Sequence, residues 1–130
     1  MNKYIFLLST FLLVSCCSEV QSATEVPMPS GKEIYIPKDL QGMDLQNPDS
    51  KWSYHRMAYT DNFVIFWEKG FGSDLSNPPQ LEGHDMKVDL LNLTEKLESF
   101  YHFFRDTLKF SKPGSKCDKY RMMVMLNYSL

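Results

Sequence analysis

Asn62-Phe63-Val64-Ile65-Phe66-Trp67, followed directly by Glu68-Lys69-Gly70-Phe71-Gly72, is the stretch on which the fold turns. A run of β-branched and aromatic residues with no polar position between Phe63 and Trp67 predicts a strand covered on both faces. Upstream, Trp52 to Tyr59 is similarly aromatic and predicts a partner strand, with Thr60, Asp61 and Asn62 supplying the turn. Downstream, Gly70 and Gly72 predict a turn with positive backbone angles around Phe71. Their spacing matches neither a dinucleotide-binding fingerprint nor a Walker loop, which argues against a phosphate cradle. Asn77, Pro78, Pro79 and Gly83 mark the next segment as loop.

Beyond that loop the pattern changes period. From Met86, Leu90, Leu93, Leu97, Phe100, Tyr101, Phe104 and Leu108 recur every three or four residues, which is the spacing of an amphipathic helix, and Asp85 is placed to cap it. Pro113 and Gly114 close the element. Its apolar stripe is wide and aromatic, so the helix is expected to lie on a sheet. Tyr120 to Tyr128 then alternates, with Tyr120, Met122, Val124, Leu126 and Tyr128 on one face and Arg121, Met123, Met125 and Asn127 on the other. A strand, a helix and a strand allow a crossover that leaves Asn62–Trp67 and Tyr120–Tyr128 as parallel neighbours. The expected fold class is α+β, an incomplete mixed sheet with one long amphipathic helix packed on it. Met123 and Met125 call for a second covering layer for which no further residues are evident.

The amino terminus reads as an address. Lys3, the apolar run Tyr4 to Val14 and then Ser15 have the layout of a signal peptide, and the run is too short for a permanent span, which needs about 20 residues. Leu13-Val14-Ser15-Cys16 resembles a bacterial lipobox, which implies lipidation at Cys16 and removal of residues 1–15. The alternative, an ordinary secretory signal with disulfides, leaves adjacent Cys17 only Cys117 to pair with. Residues 16–50 are polar and carry Pro27, Pro29, Pro37 and Pro48, with one short alternation at Ile34-Tyr35-Ile36. They are expected to form a flexible tether with one edge strand, ahead of a domain over 51–130.

The whole chain has 14 basic and 16 acidic side chains, a formal charge of −2. Its lysines and arginines alternate with acids, an arrangement unsuited to nucleic acid, where phosphate binding needs clustered cations. The aromatic share of 14% argues for at least one packed core. Cys117 has no histidine or cysteine beside it and reads as an idle or buried thiol. His55, His84 and His102 are far apart in sequence, and none belongs to a spacing that holds a metal. Asp85 with Asp89, and Glu95 with Glu98, read as solvated helix positions, while Arg56 among aromatics reads as structural. The sequons at Asn92 and Asn127 fall in a helix and a strand and read as coincidence.

Trp52, Arg56, Asn62–Gly72, the helix Val88–Phe110 and the strand Tyr120–Leu126 together resemble large secreted lipoproteins of Gram-negative anaerobes that carry a gluzincin-like zinc-metallopeptidase-like domain. The likeness covers about 80 residues. It implies that a zinc-binding His-Glu-x-x-His helix would follow these elements. That motif is absent from this sequence, so no catalytic residue, metal ligand or cofactor is assigned, and the chain reads as the non-catalytic N-terminal part of such a domain. The competing reading is a small cell-surface lipoprotein that binds a glycan or protein through Trp52, Trp67 and Phe71. Either way the expected partner is a membrane reached through the lipid on Cys16, with the outer membrane or cell surface favoured over the inner membrane.

Overall fold

Five successive apolar residues at 63–67 form the strand β3 (Phe63–Trp67), and all five are buried. The structure, a computed structural model, describes residues 25–81 and 84–128. Around β3 the chain sets out β1 (Glu33–Ile34), α1 (Lys38–Gln41), β2 (Met57–Tyr59), α2 (Leu90–His102), α3 (Lys116–Lys119) and β4 (Tyr120–Leu126). The strands lie in the order β1-β4-β3-β2. β4 runs parallel to both β1 and β3, and β2 is antiparallel to β3. The fold is therefore α+β, a mixed sheet with one long helix, as the change from a two-residue to a three-to-four-residue period predicts.

Strand periodicity sorts the core into two layers. Val64 and Phe66 point to one face, where they join Leu40, Leu45 and Trp52, with Met57, Met123 and Met125 packed at the edge. Trp67 points to the other and meets Phe71, Leu75, Val88, Leu90 and Leu126. Ile65, on that same face, is fully buried, and Phe63 meets the Tyr101 ring of α2 edge-on, the centroids being 6.2 Å apart. The register pairs Val64 with Met123 and Ile65 with Val124, so the alternation read in Tyr120–Tyr128 is the alternation observed.

Two expectations need correcting. Residues 33–50 are not part of a flexible tether: β1 pairs with β4, Leu40 and Leu45 are buried, and Ser53 Oγ donates to Leu45 O at 3.0 Å. Prolines at 37 and 48 read as an unstructured spacer, but apolar Ile34 and Ile36 before Pro37, and Leu40, Met43 and Leu45 between the two prolines, pack into the core and dock the segment. That segment is also the missing layer. It covers Met123 and Met125 from the upstream side of the chain.

Boundaries shift for a similar reason. The N-cap of α2 is Asp89, whose carboxylate accepts from Asn92 N at 2.9 Å, and not Asp85, which instead accepts from Lys87 N at 3.1 Å. Residues 85–89 stay outside the helix because Met86 and Val88 pack on Trp67, Phe71 and Leu75, and Val88 N bonds Leu75 O. Positive φ near Phe71 occurs at Gly72, at 72°.

Candidate functional site

The residues singled out for ligand binding are not at the surface. Trp52, Trp67 and Phe71 are 5%, 7% and 3% exposed, so their rings are core and offer no face on which a sugar or peptide could stack. Trp67 also donates its indole N–H to Gly72 O at 3.1 Å, which uses its polar end to close the turn. For Trp67 this is the location that the uninterrupted apolar run predicts, whereas the aromatic character of Trp52 and Phe71 is compatible with either location. Cys16 lies outside the described residues.

Where the strands meet α2, charged groups converge. Glu98 on α2 accepts from Asn62 N at 2.9 Å and Asn62 Nδ2 at 2.7 Å, and also from the Thr60 hydroxyl. Burial alone would raise its pKa, but these three donors and the charge of His102 outweigh that and hold it below the ordinary carboxylate value. Lys32 reaches the same place from the N-terminal segment, donating to Cys117 O at 2.6 Å, to Tyr101 Oη at 3.1 Å and to Asn62 Oδ1. Arg105 donates to Tyr101 Oη and is ion-paired with Asp118. Arg121 is buried and donates to Thr60 O at 2.7 Å, to Ser30 O at 2.8 Å and to Lys32 O. Apart from the local Arg105–Tyr101 bond, these contacts join separate elements, and the acceptors are backbone carbonyls or groups already paired. This geometry holds the fold together.

Other polar candidates behave in the same way. Arg56 donates to the carbonyls of Pro48, Ser50 and Lys51, and burial lowers its pKa against an opposing effect of Asp49. His55 bonds Gln46 O at 3.0 Å, and His102 pairs with Asp106 at 2.9 Å. Among the described residues no three His, Cys, Asp or Glu side chains are grouped as a metal site would require.

The surface left open at the end of α2 is apolar. Beyond α2 the chain widens into a π-type turn, Phe103–Thr107, and Phe110 N bonds back to Phe104 O at 3.1 Å. Lys109 supports this reversal with φ of 56°, a left-handed conformation that disfavours a side chain. Phe104 stacks with Phe100 at 4.1 Å and with Phe110 at 5.3 Å between centroids, forming one aromatic cluster. Phe100 is 58%, Phe103 50% and Phe110 72% exposed, and Leu108 is also exposed. A shallow apolar pocket of about 190 Å³ opens between Phe100, Phe104, Phe110 and Cys117. A second, more open groove of about 510 Å³ runs past Asp74, Leu75, Lys87 and Val88. The helical periodicity signalled an apolar stripe but not that its C-terminal half, unlike Tyr101, is left uncovered by these elements.

A mixed sheet with one long helix and an exposed aromatic cluster beyond it defines the class as an α+β domain. The chain belongs to a family of unknown function, DUF6055, whose model matches residues 27–130. That span takes in the segment 27–50 along with the sheet, in agreement with the packing of Leu40 and Leu45. No curated protein and no solved structure matches the chain.

Proposed function

We propose that this chain is an exported domain anchored to a membrane through a lipid on Cys16 and that it is the non-catalytic N-terminal part of a metallopeptidase-like lipoprotein. The observation that carries the reading is the closeness of lipobox and fold: Leu13-Val14-Ser15-Cys16 stands only a few residues ahead of the family match, which starts at residue 27. At no more than about 3.5 Å per residue, the chain from Cys16 to Glu25 could reach only about 30 Å, so an acylated protein would be held near the bilayer. Two or three acyl chains would make that attachment firm, because each buried methylene contributes about 0.8 kcal/mol. Among the described residues no helix is long and apolar enough to cross a membrane, so a lipid would have to supply the hold for this part of the chain. The non-catalytic assignment is supported by the use of Glu98, Lys32, Arg105 and Arg121 as ties between elements.

Intact mass spectrometry of the protein from its native host tests both parts. A diacylated or triacylated species that begins at Cys16 and is heavier than residues 16–130 would support them. An acylated species ending at Leu130 would remove the peptidase-like part, and a species without acyl groups would remove the anchor. The second reading, a small ligand-binding lipoprotein, is favoured by the exposed cluster of Phe100, Phe103 and Phe110 and no longer involves Trp52, Trp67 or Phe71.

A further inference from the structure

We propose that the aromatic turn after α2 is a second membrane contact, docking the domain on an anionic phospholipid surface with Phe103, Leu108 and Phe110 entering the interface. This inference rests on the anchoring reading above.

The composition of the turn matches such a surface. Between Phe103 and Lys116 the chain carries Lys109, Lys112 and Lys116 against the single acid Asp106, Arg105 being paired with Asp118, although the protein as a whole is at −2. Aromatic rings flanked by lysines suit the headgroup layer, where rings bury apolar area while the ammonium groups stay with the phosphates. A protein-binding face of comparable size has no need of that excess of one sign. Geometry supports the same occupant. The left-handed Lys109 and the Phe110 N to Phe104 O bond turn the chain back so that Phe110, at 72% exposure, stands out beyond the helix end. Phe104 fills the space behind it, its ring 5.3 Å from that of Phe110, which gives the protruding ring a packed base. The short stretch between Cys16 and Glu25 would keep this turn within reach of the bilayer, so a weak contact suffices.

The test uses the full-length mature protein from its host, reconstituted through its own lipid into nanodiscs of phosphatidylcholine alone or of phosphatidylcholine mixed with phosphatidylglycerol. Hydroxyl-radical footprinting then reports oxidation of Phe103, Leu108 and Phe110, with buried Phe66 as the internal reference. The lipid anchor is the same in both discs, so only docking can differ. Protection of the turn in anionic discs alone, lost in Lys109→Glu/Lys112→Glu, supports the proposal. Equal oxidation in both discs overturns it. Protection already present in detergent overturns it too and assigns the face to another polypeptide layer or a second copy. If mass spectrometry shows no acyl group, the anchoring reading fails separately. Flotation of that unacylated protein with anionic vesicles then decides the docking, with about fivefold weaker partitioning expected for each lysine replaced. No flotation overturns it.

Discussion

Replacing Glu98 with alanine would open the junction between α2 and the β2–β3 turn. The wild-type carboxylate accepts from the backbone N–H of Asn62 at 2.9 Å, from its side-chain amide at 2.7 Å and from the Thr60 hydroxyl. Hydrogen bonds to a charged group contribute about 1.5–3 kcal/mol each, but the three share one acceptor and the freed donors regain some water, so a total near about 3 kcal/mol is expected. That is a large part of the 5–15 kcal/mol, roughly, that stabilises a domain. At roughly 4 °C per kcal/mol it lowers Tm by about 12 °C. The pH dependence has a definite sign. Because the folded pKa lies below the ordinary glutamate value, the carboxylate contributes stability above the unfolded pKa and loses that contribution as pH falls through the lower, folded value. Urea titrations followed by the emission of buried Trp52 and Trp67, run from neutral pH to below 4, measure both effects. Glu98→Ala should lose stability at neutral pH and show a flatter acid limb than wild type. Glu98→Gln, which keeps an acceptor but no charge, should fall between them. A neutral-pH difference under about 0.5 kcal/mol, the usual size for a surface change, would refute the reasoning.

Gly70→Ala should destabilise by about 1–3 kcal/mol, since a Cβ there would lie 2.2 Å from Cδ1 of Tyr128. Denaturation of Gly70→Ala combined with Tyr128→Ala should give less than the sum of the two single losses, and strict additivity would argue against the clash. Arg121→Met removes donors from Ser30 O, Lys32 O and Thr60 O and should release the segment before β1. Amide exchange there should rise while β3 stays protected, for a loss of about 2–3 kcal/mol; unchanged exchange over residues 25–34 would count against that role. Trp67→Ala should cost about 3–5 kcal/mol through the cavity it leaves. Near-wild-type denaturation of that variant would contradict the burial of Trp67 and revive its assignment as a surface aromatic.

The parts of the fold legible in sequence are those set by local period. β3, β4, their parallel pairing and the existence of α2 all follow from which residues alternate and which recur every three or four. The misreadings share a different cause. Residues 33–50 look like spacer because their polar and proline content is judged locally, while Leu40 and Leu45 are buried by Phe66 and Met125 from distant positions. Likewise Glu98 reads as a solvated carboxylate because its three donors lie at Thr60 and Asn62, 36 to 38 residues away in the chain. Only the competing reading puts Trp52, Trp67 and Phe71 at the surface, and it does so because composition identifies an aromatic ring but not the side of the surface on which it stands; the uninterrupted apolar run already places Trp67 in a covered strand, where it is found.

The division of labour along α2 connects these points to function. Partly buried Leu90 at its start and buried Tyr101 near its end pack against the core, and Glu98 ties the helix to the β2–β3 turn. The outward side of its last turn and of the extension is left open, since Phe100, Phe103 and Phe110 are at least half exposed. Apolar area left in water opposes solubility and is normally confined to small patches, so a cluster of this kind is retained where something covers it. Loosening Glu98 should therefore disturb the domain's stability without altering the chemistry of the aromatic turn, whereas Lys109→Glu/Lys112→Glu should leave stability within about 0.5 kcal/mol and change only what the turn contacts. Measuring both variants on the same protein separates the part of the helix that builds the fold from the part proposed to contact a surface; a large stability loss in the lysine variant would assign the turn to the core instead.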